Sequence, residues 1–288
     1  MDQKNPAELQ EHMLGTYGAL RVMLAVIAFS LPIVVTLSGW IQRGNFAIES
    51  SISRYYYVTG RFVFFTPHDL FVGGLVAAAA CLYSYKGFST RENVALNLAG
   101  VFAFFVAVLP TSAEGEPRNL RSILHATSAV LFFLSIAYVS IRCSRDTLRL
   151  LPDPSKLDGY ARRYFATGLA MILSPLVAVG LSLPNGSLSN SRLIYFIEWF
   201  GVWAFGAYWW VKTLEMRETK AEKAAWNRAS VSCKAEAKGK KIKWLSRRKY
   251  VKGCIVQSLR GYPNINVEKL IKEMDTRKLP VTYVDQYM

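Results

Sequence analysis

Six apolar blocks separated by shorter polar segments occupy most of Met1–Val211, and they limit the folds open to this 288-residue chain. A helix needs about 20 residues, with a range of roughly 17–25, to cross the hydrocarbon core of a bilayer. The blocks approach or reach that length, so we predict an all-α fold, a polytopic membrane bundle of six transmembrane helices. The blocks are Val22–Trp40, Leu70–Tyr85, Val94–Leu109, Ile123–Ile141, Tyr164–Leu183 and Leu193–Val211.

The charge of the chain is concentrated behind the last block. The whole sequence has 35 Lys and Arg against 20 Asp and Glu, a formal net charge of +15, and most of the excess follows Lys212. We therefore divide the chain into a membrane domain, 1–212, and a basic tail, 213–288. Basic clusters beside a membrane helix attract anionic lipid of the inner leaflet, with an ordinary charged anchor as the equal alternative. No nucleic-acid partner is expected, because no binding module accompanies the charge.

The distribution of Lys and Arg between the blocks also predicts orientation. The segments that share a side with the tail hold far more basic residues than the opposite loops do. Since positive charge stays in the cytoplasm, we predict a multi-pass protein of the plasma (inner) membrane with both termini in the cytoplasm. Cys81, Cys143, Cys233 and Cys254 then all avoid the oxidising side, and no disulfide framework is expected.

Small residues recur every four positions in two of the blocks. Ala95, Ala99, Ala103 and Ala107 do so in the third block, and Ala166, Ala170, Ser174 and Ala178 in the fifth. Such residues line one helix face and allow backbones to approach closely. We expect these two helices to lie inside the bundle.

Polar side chains collect at the outer ends of the predicted spans. His68 and Asp69 begin the second span, His125 lies about one turn into the fourth, and Glu198 lies between one and two turns into the sixth. Ionisable groups in a membrane are expensive and usually face a bundle interior or a cavity. We therefore predict a polar pocket in the outer leaflet that binds a lipid or other amphiphile. The stretch Glu49–Gly74, which joins the first two blocks, forms the first outer loop and would cover the pocket. It adds further candidate ligands, namely Ser51, Ser53, Arg54, Tyr55 and Arg61.

Several of these residues also have a purely structural interpretation. Asp69 could cap its own helix, where a carboxylate meets free N–H groups. His68 is comfortable at a membrane interface without any function, and His125 could form an interhelical hydrogen bond. The Tyr55–Tyr57 run suits the headgroup level. Glu198, on an otherwise aromatic helix, requires a polar partner.

Catalytic motifs are absent from the sequence. There is no HxxxH, GxSxG or CxxC motif and no glycine-rich phosphate loop. Ser51 or Ser53 could form a triad with His125 and Asp69, although nothing local to either serine marks a nucleophile. We therefore favour a non-enzymatic binder without cofactor or metal. The alternative is an intramembrane lipid hydrolase using His, Asp and Glu residues. A small-solute transporter ranks third, since the inner halves of the spans lack matching charges.

Several short motifs together resemble a known group of proteins. They are S-I-S-x-Y-Y-Y (Ser51–Tyr57), D-L-F-V-G (Asp69–Gly73), L-Y-S-Y-K-G (Leu82–Gly87), N-L-A-G-V-F-A (Asn97–Ala103), A-Y-x-S (Ala137–Ser140) and E-x-x-x-x-W-A-F-G (Glu198–Gly206). Over about residues 15–212 the chain resembles an uncharacterised bacterial family of multi-pass membrane proteins. That family is distantly similar to FRAG/DRAM/Sfk-type six-helix membrane proteins. The resemblance implies a six-helix fold and a role in membrane lipids. Alkaline-ceramidase-like hydrolases are a further comparison, but their multiple-histidine pattern is missing here.

Overall fold

The computed structural model describes residues 6–58, 65–113, 116–148, 151, 154–181 and 192–259. Every regular element within these ranges is helical, which confirms the all-α prediction. A short 3₁₀ helix, Ile52–Tyr57, lies in the first loop, and a π-helical segment, Val139–Cys143, follows α4. The α-helices are α1 Pro6–Arg43, α2 Pro67–Ser84, α3 Thr90–Val108, α4 Leu120–Tyr138, α5 Ser144–Leu148, α6 Pro154–Leu181, α7 Leu193–Gly239 and α8 Trp244–Leu259.

Among the residues that the structure describes, four stretches of helix are long and apolar enough to cross a membrane. They are Gly15–Arg43, Thr90–Val108, Leu120–Leu148 and Lys156–Leu181. These match the predicted first, third, fourth and fifth spans. The second and sixth predicted spans fall on α2 and α7, which are not among these four. The first turn of α2 contains His68 and Asp69, and α7 is rich in Trp and Tyr.

The outward faces of the apolar helices carry large hydrophobic side chains. Val26 on α1 is 56% exposed and Leu98 on α3 is 46% exposed, and α4 and α6 show the same pattern. Soluble proteins rarely expose contiguous apolar surface of this kind. The fold therefore fits a membrane location, where hydrocarbon rather than water covers these faces.

Close helix packing follows the small residues of the third block. α1 packs on α2, α2 on α3 and α3 on α4. Ala99, Ala103 and Ala107 are almost completely buried, which confirms the predicted packing face. Because Leu98 and other large side chains of α3 are exposed, the expectation that the whole helix lies inside the bundle was wrong. A Cβ atom added at Gly100 would lie 2.9 Å from the carbonyl oxygen of Ala79, so the backbones of α2 and α3 nearly touch.

The predicted small-residue face of α6 is only partly correct. Ser174 and Ala178 are buried, but Ala166 is exposed. Beside Ala166 the buried face instead carries Tyr164 and Gly168, and Gly168 packs against Ile141. A spacing of four drifts around a helix with 3.6 residues per turn, so the stripe leaves the contact face over three turns.

Buried charged side chains occur at the end of the bundle opposite the first loop. Arg21 donates to the Tyr85 hydroxyl over 3.0 Å, and Glu92 accepts from the backbone N–H of Phe88 over 2.8 Å. Lys212 is 2% exposed. These side chains do not test the expectation that the inner halves of the predicted spans lack matching charges. These residues stand at or beyond the ends of the apolar blocks in sequence, yet the fold covers them.

The chain forms two compact units. One comprises 1–147 and 160–213, and contains the first loop and the helices discussed above. The other comprises 148–159 and 214–288, and its described part pairs the second half of α7 with α8. The core of this hairpin contains Ala229, Cys233, Ala237, Val251 and Ile255.

A disulfide joins Cys233 on α7 to Cys254 on α8. The expectation that the tail cysteines stay unpaired was therefore wrong. It was based on the predicted compartment alone, whereas pairing depends on whether two cysteines face each other. The short turn after α7 brings the two Cα atoms to 5.7 Å, which lies within the range that a disulfide requires.

Candidate functional site

The candidate site lies at the first-loop end of the bundle, where α1 and α3 end and α2, α4 and α7 begin. Its centre is the 3₁₀ helix Ile52–Tyr57. Ser51 caps this helix by accepting a hydrogen bond from the backbone N–H of Ser53 over 3.2 Å. Ile52 and Tyr55 are buried, so the helix presents one apolar face to the bundle. Its polar face brings Ser51 and Ser53 to the membrane helices.

Glu198 on α7 binds the start of the 3₁₀ helix. Its carboxylate accepts the Ser51 hydroxyl, with Oγ 2.8 and 3.0 Å from the two carboxylate oxygens. It also accepts the backbone N–H of Ile52 over 2.7 Å. N–H groups at the start of a helix have no partner within it and favour a negative charge. Glu198 therefore has the polar partners that the sequence required, and a serine and a helix terminus supply them.

His125 on α4 contacts the same loop one residue beyond Ile52. Its Nδ1 lies 2.7 Å from the carbonyl oxygen of Leu109, and its Nε2 lies 3.0 Å from the hydroxyl of Ser53. A carbonyl can only accept, so Nδ1 carries the proton. In the neutral ring Nε2 is then an acceptor, and Ser53 donates to it. The site thus connects α3, α4 and the first loop.

Tyr55 anchors the loop in the bundle. Its side chain is fully buried and packs against Gly39 on α1, where an added Cβ atom would lie 2.5 Å from Cε1. The ring lies 6.3 Å from that of Tyr195, whose hydroxyl shares a hydrogen bond with Thr36. Burial raises the pKa of the Tyr55 phenol. Tyr55 therefore anchors the loop as a neutral side chain, and its role as a ligand stays a prediction.

Asp69 has the capping role that the sequence left open. Its carboxylate accepts the backbone N–H of Thr66 over 3.3 Å, and the Thr66 hydroxyl accepts the N–H of Asp69 over 3.2 Å. This reciprocal pair starts α2. Within the described residues, the hydrogen bonds of Asp69 go to Thr66 and to its neighbour His68. The ring of His68 meets that of Tyr56 edge to face, with the ring centroids 4.3 Å apart. Both residues lie beside the Ser51–Ser53 contacts without joining them.

Of the two predicted arginines, one lies within the residues that the structure describes. Arg54, in the 3₁₀ helix, is near enough to Glu198 to interact with it electrostatically. Arg61 lies outside the described residues. The structure therefore brings together Ser51, Ser53, Arg54, His125 and Glu198 out of the predicted set.

Sequence reasoning missed the uncharged parts of the site. The carbonyl of Leu109 orients His125, the absence of a side chain at Gly39 admits Tyr55, and Tyr57 donates to the carbonyl of Thr111. Backbone carbonyls leave no mark in a sequence. The one available signal was the glycine near the end of the first apolar block, where a close approach is a common reason for glycine.

No group of three or more His, Cys, Asp or Glu side chains that could hold a metal is found among the residues that the structure describes. No protein-family model, curated protein or solved structure matches this chain. The resemblance to FRAG/DRAM/Sfk-type proteins therefore stays a prediction, and the function has to be argued from the site itself.

Proposed function

We propose that this chain is a six-span protein of the plasma (inner) membrane, with both termini in the cytoplasm, that binds a lipid or other amphiphile at the outer end of its bundle. In this proposal α2 and α7 are the second and sixth spans. The first-loop end then faces outward, and the first loop covers the binding site.

One observation carries the proposal, namely that a single loop holds polar side chains from two different helices. Ser51 bonds Glu198 on α7, and Ser53 bonds His125 on α4. Movement of the loop would release a carboxylate and an imidazole together. Polar groups left buried without partners are costly, so a polar headgroup would bind these groups while the loop is open, before the loop closes over the amphiphile.

The surroundings of these two groups suit the other half of an amphiphile. Leu124, next to His125, is 44% exposed, and Phe196, two residues before Glu198, is 53% exposed. Both are apolar and face outward from their helices. An acyl chain could lie on this surface while its headgroup reaches the polar groups, which matches the chemistry of a membrane lipid.

Native mass spectrometry of the full chain tests the proposal. The protein is reconstituted with phosphatidylethanolamine and phosphatidylglycerol, extracted in mild detergent and sprayed intact. We expect one retained lipid on the wild type and at least a tenfold loss of retention in His125→Ala and in Glu198→Ala. Glu116→Gln, an exposed carboxylate in another loop at the same end, is the matched control. A wild type without lipid, or equal retention in all variants, would contradict the proposal.

The basic tail supports a second lipid contact. Arg247, Arg248 and Lys249 on α8 are exposed on one short stretch. Each basic residue near an anionic surface contributes about 1 kcal/mol of binding. In nanodiscs with phosphatidylglycerol, amide exchange in α8 should slow relative to phosphatidylcholine alone, and the difference should vanish at high salt. The double variant Arg247→Glu, Arg248→Glu should show no difference in amide exchange between the two lipids. If exchange in wild-type α8 is the same with and without phosphatidylglycerol, this contact is excluded.

A further inference from the structure

We infer that Ser53 is a nucleophile activated by His125, and that the site cleaves an ester bond in the amphiphile that it binds. The inference rests on the proposed function, because the bound amphiphile supplies the ester. It goes beyond that function by assigning a reaction and two catalytic residues to the same end of the bundle.

The order of contacts at His125 is the one that nucleophilic catalysis requires. An activated serine needs a base within hydrogen-bond reach, and the base needs a third group that orients it. Here the Leu109 carbonyl holds Nδ1 at 2.7 Å, and Nε2 lies 3.0 Å from the Ser53 hydroxyl. The backbone carbonyl takes the orienting position that a carboxylate occupies in a Ser-His-Asp triad.

Ser53 is better placed for this role than Ser51. The Ser51 hydroxyl donates to Glu198 and also accepts the N–H of Ser53, so its proton and a lone pair are both engaged. Its partner is a carboxylate that already accepts the N–H of Ile52. The Ser53 hydroxyl has an imidazole partner instead, which is the usual general base in proteins.

Glu198 has a positioning role in this scheme. By binding Ser51 and the N–H of Ile52, it fixes the two residues that precede Ser53. The Ser53 hydroxyl therefore reaches His125 because the loop is held from α7. His125 is 5% exposed, so bulk water has little access to the base.

The reaction has two steps. In the first, Ser53 Oγ attacks the ester carbonyl carbon, its proton passes to Nε2 of His125, and the bond from carbon to the alcohol oxygen breaks. The departing alcohol takes the proton from Nε2, which leaves an acyl ester on Ser53. In the second, water attacks that ester, gives its proton to Nε2, and a carboxylic acid leaves as Ser53 regains the proton. No oxidant or reductant is consumed.

An alkyl fluorophosphonate tests the assignment, because it phosphonylates activated serines with loss of fluoride. The full chain in mild detergent is treated with the probe, and the adduct is located by peptide mapping. We expect one adduct, on Ser53, which is absent in Ser53→Ala and forms at least 100-fold more slowly in His125→Gln. Ser112→Ala removes another serine near this end, bonded to the Pro117 carbonyl, and should label like the wild type.

The failures of the two proposals can be told apart. A wild type that retains lipid in native mass spectrometry but gains no adduct overturns the nucleophile and leaves the binding site. An adduct on Ser53 in protein that retains no lipid overturns the binding proposal alone. An adduct on any other serine, or one that forms at the wild-type rate in folded His125→Gln, overturns the nucleophile. The residue that carries the adduct in the wild type tests the nucleophile assignment even if His125→Gln does not fold.

Discussion

Glu198 and Ser51 are 147 residues apart in the chain, yet both carboxylate oxygens of Glu198 lie within 3.0 Å of the Ser51 hydroxyl. This contact, with the bond from the Ile52 N–H, attaches the first loop to the first turns of α7. Together with the bond from Ser53 to His125, it gives the loop a fixed position against the bundle.

Removal of the carboxylate should release the loop. Hydrogen bonds to charged groups contribute about 1.5–3 kcal/mol, so Glu198→Ala should lower the free energy of unfolding by about that amount. Glu198→Gln keeps one acceptor oxygen and should lose less. A thiol-reactive dye can follow thermal unfolding, since Cys81 and Cys143 are free and buried. Glu116→Gln should unfold like the wild type, and equal stability of all three variants would contradict the attachment.

Gly39 should tolerate no side chain. An added Cβ atom would lie 2.5 Å from the Tyr55 ring, and overpacking of this kind costs about 1–3 kcal/mol. Gly39→Ala should therefore lower the unfolding temperature and speed proteolysis of the first loop. Gly73→Ala is the matched control, because nothing lies within 4 Å of its added Cβ atom. If both variants behave alike, Tyr55 is not anchored as described.

The cap of α2 should depend on pH. The hydrogen bond from Thr66 holds the pKa of Asp69, which precedes the predicted span Leu70–Tyr85, below its ordinary value. Because the pKa is lower in the folded state, the contribution of Asp69 is present above the unfolded pKa, about 3.9, and is lost as the pH falls through the folded value. Asp69→Asn should therefore lower the melting temperature at pH 7, with a smaller difference near pH 3.

The threonine of the same cap provides the companion measurement. Thr66→Ala removes the oxygen that accepts the Asp69 N–H and should cost about 1 kcal/mol at neutral pH. Tryptophan fluorescence during heating reports both variants under all of these conditions. A pH-independent effect of Asp69→Asn would mean that its charge does not contribute to the cap.

The disulfide should stabilise the α7–α8 hairpin alone. The cysteines are 21 residues apart, and closing a loop of that size contributes about 3 kcal/mol in the chain-entropy model. Reductant should speed amide exchange at the buried Val251 and Ile255, and Cys254→Ser should show that faster exchange without reductant. Exchange in α3 should not change. If reductant has no effect on the hairpin of the wild type, the disulfide does not form in solution.

The orientation can be measured with introduced cysteines, because the remaining Cys81 and Cys143 are buried. In a Cys233→Ser, Cys254→Ser background, Glu116→Cys should react with an impermeant maleimide on intact cells, and Arg247→Cys should react only after lysis. Both positions are exposed. The reverse pattern would place the tail outside, in the oxidising compartment where disulfides persist. Reaction of both positions in intact cells would exclude an odd number of spans between them, and with it the three that the proposal places there.

The sequence was sufficient for the parts of the fold that depend on residue type. Four of the six apolar blocks coincide with helices of membrane-spanning length. The alanines of α3 marked its buried face because small residues admit a neighbouring backbone. On α6 the prediction that Ala166 faces the bundle was wrong. A spacing of four rotates around the helix, and the larger side chains Tyr164 and Ile141 determine which face is buried at that level. The burial of Glu92 could not be predicted, because this residue precedes its apolar block and a sequence does not show which helix will cover a residue.

The candidate site was predictable in its members but not in its pairings. His125 and Glu198 are conspicuous because charged or titratable groups are rare within apolar blocks. Which serine meets which group depends on the geometry of the 3₁₀ helix, where Ser51 and Ser53 point to different helices. Asp69 could not be assigned either, because a cap and a ligand use the same carboxylate at the same helix end.

The attachment of the first loop to Glu198 also fixes when the loop can be completed during synthesis. Ribosomes add roughly 5–20 residues per second, so the 147 residues from Ser51 to Glu198 take about 7–30 s to make. Through that interval Ser51 and the N–H of Ile52 have no carboxylate to bind, while His125 becomes available about halfway through. The first loop of the nascent chain therefore acquires its contacts in order, to α4 first and to α7 last.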